Sequence, residues 1–182
     1  MNLKSCKANL PISIFIVFLI LCIQKEVNAS NKVLFEVKIN HEFSNFSLND
    51  TFKLSVIGSE ILKSNVTFNI ISFDGTEIYS VNFPSIELIN YDLPKGIEAS
   101  KKDQEQFILK RLREFFNEKN FFSPAIKEDE KLDSDYSDKT IWFDIKEDRT
   151  AIGFYYSIGE EDNRKIAFSK RTKKVLLYYN CC

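Results

Sequence analysis

The residues able to do chemistry are few, and most lie toward the end of the chain. It closes on "LLYYNCC", which leaves Cys181 and Cys182 side by side. Neighbouring Cα atoms stand about 3.8 Å apart across a trans peptide, below the roughly 4.4–6.8 Å of an ordinary disulfide. Three fates are open to the pair: a vicinal disulfide, a bridge to another chain, or thiols kept buried or reduced. A vicinal bridge closes almost no loop, so it cannot act as an entropic staple.

Just upstream, "SKRTKK" brings Lys170, Arg171, Lys173 and Lys174 to one expected hairpin tip. Clustered cations can meet a sulfated polysaccharide, an anionic lipid or an acidic protein; a solvated turn is the plainer alternative. Tyr155 and Tyr178, with Tyr156 and Tyr179, fall in strands of the same expected meander. Exposed tyrosine beside arginine is a common ingredient of recognition surfaces.

Carboxylates offer two further chemistries. In "KEDEKLDSDYSDK", Asp133, Asp135 and Asp138 are spaced closely enough to converge on a hard cation such as Ca²⁺, which takes six to eight oxygen ligands. The tight-turn glycine and terminal bidentate glutamate of a calcium loop are missing, so a solvated charge run competes with that reading. Asp144 with Glu160 or Glu161 could form an acid pair for glycoside hydrolysis, a mechanism decided by separation in space.

The remaining constellations are thin. His41 is the single histidine, so a His-based triad or zinc site would have to be built around it, and "INHEFS" reads as a solvated strand end. Five glycines leave little scope for a phosphate-cradling loop, and no strand-to-helix serine elbow is evident. We assign no catalytic residue and expect no cofactor.

What must position these groups follows from the hydrophobic pattern. Lys4 and Lys7, the apolar "PISIFIVFLILCI" and Val27-x-Ala29 form a secretory signal expected to be cleaved after Ala29. The mature chain is then expected to be secreted or periplasmic, with no transmembrane span; lipid or membrane anchoring is the lesser alternative. Loss of residues 1–29 removes Lys4, Lys7, Lys25 and Glu26, leaving 22 basic and 25 acidic residues, a net of −3. That balance argues against nucleic acid as a partner.

Residues 30–98 read as β-rich. "KVLFEVKIN" and "TFKLSVIG" alternate, and "NVTFNIISF" and "EIYSVNF" flank Asp74-Gly75, a tight-hairpin signal in which both turn residues tolerate positive φ. A helix is predicted over 99–122, capped by Ser100, with Ile108, Leu112, Phe115 and Phe116 as its apolar stripe. Lys110, Arg111, Arg113 and Glu114 fall on its wet side. Residues 123–139 form the acidic connector, and 140–182 a β-meander of "TIWFDIK", "AIGFYYSIG", "KIAFS" and "VLLYYN". The pattern defines a single α+β domain with the helix laid on a sheet. Asn45, Asn49 and Asn65 each begin a glycan-acceptor triplet.

Together these features suggest an exported, non-catalytic binding protein acting on another protein, of inhibitor or immunity type. The alternatives are an exported hydrolase using acidic residues, with or without Ca²⁺, and a binder of polyanions or anionic lipid through the basic tip.

Overall fold

The computed structural model describes residues 32–182; the expected signal segment, with Cys6 and Cys22, lies outside the described residues. Among these, no helix is long and apolar enough to cross a membrane.

Four antiparallel strands, β1 (Val33–Glu42), β2 (Asn49–Ile57), β3 (Asn65–Ile71) and β4 (Glu77–Pro84), form one sheet in sequence order. The register places Ile39, Phe52, Ile70 and Tyr79 across from one another, so they share a face. That face is the core: Phe52, Leu54, Val56, Val66, Phe68 and Ile70 are fully buried. The opposite face is a polar lattice, with Lys53 3.0 Å from Glu36 and Thr67 donating to Asn82 at 2.5 Å. Asn49 and Asn65 are exposed there, and Asn45 is half-buried in the β1–β2 loop.

The Asp74-Gly75 hairpin forms, but only Gly75 takes positive φ, at 88°. Asp74 instead caps the turn through its side chain, accepting from Ser72 Oγ at 2.5 Å and Thr76 N at 2.9 Å. His41 corrects the solvated reading: it lies in β1, half-buried, and stacks on Phe121 with ring centroids 3.8 Å apart.

Helix α1 (Lys101–Glu114) begins where expected, since Ser100 Oγ accepts from Asp103 N at 3.2 Å. It stops earlier than predicted. Asn117 caps a short 3-10 turn over Glu118–Asn120, and Phe121–Phe122 become a strand, β5. Phe121 pairs with Phe154 and Phe122 with Gly153, where any Cβ would collide with the Phe122 ring. Two consecutive aromatics therefore extend a sheet rather than continue the helix.

The second sheet is β5 with β6 (Gly153–Ser157), β7 (Asn163–Ser169) and β8 (Lys174–Cys181), antiparallel in that order. "TIWFDIK" does not supply a strand: Lys139–Glu147 is a helix, α2. Asp138 caps it by accepting from Ile141 N at 2.9 Å, and Trp142 and Ile145, three apart, are the residues it buries. The strand-like alternation is coincidental, because Phe143 in its middle is 45 % exposed.

The sheets share one core. Phe52 meets Phe68, Phe116, Phe121 and Phe154 at centroid distances of 5.1–6.1 Å, so both sheets and the turn that follows α1 converge on it. A smaller cluster of Ala125, Ile126, Trp142, Ile145, Ala151, Ala167 and Tyr178 seats α2 on the other side of the second sheet. The architecture is α+β, as the sequence pattern implies.

Candidate functional site

Helix α1 turns its buried stripe to the core and leaves Phe107, Lys110, Arg111 and Glu114 along one flank. The end of β6, the β6–β7 turn and the segment after β4 stand opposite, and between them opens a cleft of about 730 Å³. Its floor carries Tyr155, Tyr156 and Ser157, while Asn90, Asp92, Lys119, Glu160 and Asn163 contribute to its walls. The lining mixes both signs of charge with amides and aromatic rings, a combination suited to polar ligands with an apolar component.

Arg111 is the best-fixed polar group in this cleft. Nη1 donates to Leu88 O at 2.7 Å, and Nη2 donates to Ser157 O at 3.1 Å and Ser157 Oγ at 2.8 Å. All three acceptors are neutral, and Arg111 forms no ion pair among the described residues. Burial lowers the guanidinium pKa from its ordinary value, against the opposing fields of Asp92 and Tyr155.

The clamp depends on a close backbone approach. Gly159 has φ 74°, and a Cβ there would lie 2.9 Å from Glu87 O. Glycine thus lets the β6–β7 turn sit against the 3-10 turn Ser85–Leu88, which brings the Leu88 and Ser157 carbonyls within reach of one guanidinium.

Tyr155, named from the sequence, does line the cleft. Its hydroxyl donates to Asn163 Oδ1 at 2.6 Å, and Asn163 Nδ2 donates to Cys182 O at 3.0 Å. The chain's last residue is thereby tied to the cleft wall. Cys181 and Cys182 are joined to each other in a vicinal disulfide, the first of the three fates.

Tyr178 is a correction. It is fully buried against α2, and its hydroxyl donates to Ala125 O at 2.7 Å. It packs rather than recognises.

The basic tip forms, with Lys173 at φ 57° in its turn. Two of its cations are already engaged: Lys170 Nζ lies 2.8 Å from Asp148 Oδ2, and Arg171 Nε lies 2.5 Å from Asp144 Oδ1. Asp144 also accepts from Ser169 Oγ at 2.6 Å. Lys173 and Lys174 remain outside these pairs, so much of the tip's field is cancelled locally.

The acidic groups are dispersed. Asp144 is held at the tip by Arg171, whereas Glu160 lines the α1–β6 cleft, so this pair does not share a depression. Asp133 Oδ1 accepts from Asp135 N at 3.1 Å and Asp138 caps α2. No group of three metal-ligating side chains suited to an ion occurs among the described residues.

Arg111 is the functional candidate that the sequence pattern conceals. Helical spacing puts it on the wet flank, and only its position one residue before Leu112 and four after Phe107 hints that it borders the stripe. The chain matches no protein-family model, no curated protein and no solved structure.

Proposed function

We propose that this chain is an exported binding protein that acts by seating a polar segment of a partner protein in the α1–β6 cleft. The secretory pattern of residues 1–29 supports export. The observation that carries the binding reading is the cleft itself: about 730 Å³, open to solvent, lined by opposite charges, amides and tyrosine around a rigidly held guanidinium. Tyrosine and arginine are enriched where protein partners meet. The basic tip supports a polyanion reading less well, because Lys170 and Arg171 are neutralised by Asp148 and Asp144.

Site-specific photo-crosslinking tests this reading. A benzophenone side chain placed at Glu114 or Lys119, both exposed at the cleft, is expected to capture the same protein from the native compartment. The same group at Asn82, exposed on the polar face of the first sheet, is expected to capture none. Equal capture from all three positions, or none from any, would remove the cleft as the binding face.

A further inference from the structure

We infer that Arg111 is the receptor for a carboxylate carried by the ligand, either a chain terminus or an acidic side chain. The inference rests on the cleft being the binding face and deepens it. A guanidinium carries five N–H donors in one plane and a permanent positive charge, so a donor left without a partner favours an anionic oxygen. Leu88 and Ser157 take one Nη1 donor and both Nη2 donors and fix the guanidinium plane, leaving Nε–H and a second Nη1–H without a partner among the described residues; these two diverge, so each can meet one carboxylate oxygen singly. A half-buried cation with unused donors, in a cleft and without an ion pair, is an arrangement that a carboxylate oxygen on a free N–H supplies with its missing counter-charge.

The surroundings select among anions. Lys110, Arg111 and Lys119 are balanced in the lining by Asp92, Glu114 and Glu160, so the cleft has no net positive field to hold a phosphate dianion. The same three acids can accept hydrogen bonds from amide N–H groups beside the ligand's carboxylate. A peptide presents both features within a few ångströms. Because the clamp is assembled before any ligand arrives, little side-chain ordering remains to be done on binding.

The test is titration of the ¹⁵N-labelled full chain with N-acetylglycine, which mimics a chain terminus, and with N-acetyl-aspartic acid α-amide, which mimics an acidic side chain. N-acetylglycinamide and inorganic phosphate are the controls. The Arg111 Nε–H resonance is expected to move saturably with one or both carboxylates, and which one moves it identifies the source. It is not expected to move with the neutral amide. R111K keeps the charge but loses the planar donors held by Leu88 and Ser157 together with the free Nε–H, and should weaken binding roughly tenfold or more, the equivalent of one charged hydrogen bond.

A shift of equal size with the neutral amide, a stronger response to phosphate than to carboxylate, or unchanged affinity in R111K would overturn the inference. The wild-type titration decides the matter even if R111K does not fold. Crosslinking at Glu114 and Lys119 that succeeds while the carboxylate titration fails would leave the binding face standing and remove only the role of Arg111.

Discussion

Tyr79 on β4 and Tyr156 on β6 bring their hydroxyl oxygens to 2.6 Å, a hydrogen bond that joins the two sheets directly. Tyr156 also lies on the cleft floor, with the Arg164 guanidinium 5.9 Å from its ring. Arg164 is itself fixed by Asp162, with Nε and Nη2 each donating at 2.6 Å. The seam between the sheets and the α1–β6 cleft thus share one side chain.

Replacement of either tyrosine should show this coupling. Y79F and Y156F are each expected to lower stability by about 0.5–1.5 kcal/mol, the net value of one internal hydrogen bond. The double variant should lose less than the sum, because both single changes remove the same bond. Chemical denaturation of the four proteins measures the cycle, and strict additivity would mean that the hydroxyls do not interact.

Alkaline pH should expose the same seam. Burial raises the phenol pKa of Tyr79, Tyr156 and Tyr178 above the ordinary value near 10. The folded state therefore holds these protons more tightly than the unfolded state. Stability is unaffected below the unfolded value and falls as pH rises beyond about 10. Phenolate absorbance from these three residues should appear together with unfolding, and a smooth titration of all the tyrosines with retained near-UV dichroism would contradict it.

The extent to which the sequence revealed this structure depends on whether the deciding contact was local. The hairpins and the α1 cap rest on signals within a few residues, such as Asp74-Gly75 and Ser100 to Asp103, and they formed. Helix α2 reads as a strand because Ile141, Phe143 and Ile145 alternate, and a short apolar run does not separate the two periods. The corrective signal was Asp138, a cap three residues before Ile141. Arg111 was hidden for a different reason. Its partners lie 23 and 46 residues away, and nothing in a helical wheel records a carbonyl brought in by a distant glycine turn. The basic tip was located correctly, but its neutralisation by Asp144 needed α2 to be a helix.

That helix offers its own test. D138A should lower stability by about 0.5–2 kcal/mol through loss of the cap. Trp142, the only tryptophan, is 4 % exposed beneath α2, with Lys146 Nζ 4.4 Å from its ring. Its fluorescence should therefore report the change, with quenching by acrylamide weak in the wild type and stronger in D138A. Ready quenching of the wild type would mean that α2 does not hold its seat.

Acid should weaken the Asp144–Arg171 pair at the tip. Arg171 holds the Asp144 carboxyl below its ordinary pKa, against the opposing effect of burial and with help from Ser169. Asp144 therefore contributes stability that is fully present above the unfolded value near 4 and is lost as pH falls through the lower folded value. The Asp144 side chain is only 5 % exposed whereas that of Arg171 is 62 % exposed, so removing the arginine leaves a carboxylate that water cannot fully rescue. R171A should lower stability at neutral pH, and the loss should shrink as acid protonates Asp144. A pH-independent cost would assign the effect of Arg171 to packing instead.

The terminal disulfide should do little for stability. Cys181 and Cys182 are adjacent in sequence, so their bond constrains almost no conformational freedom in the unfolded chain. Reduction with a dithiol, or the change C181S/C182S, should shift unfolding by less than about 0.5 kcal/mol, as for a surface substitution away from the core. Any effect should fall instead on the cleft wall, because Cys182 O accepts from Asn163, which in turn accepts from Tyr155. Amide shifts at Asn163 and Tyr155 on reduction, with the melting temperature unchanged, are the expected result. A large loss of stability would show that the bond fastens β8 to its neighbours, a role that loop closure cannot explain.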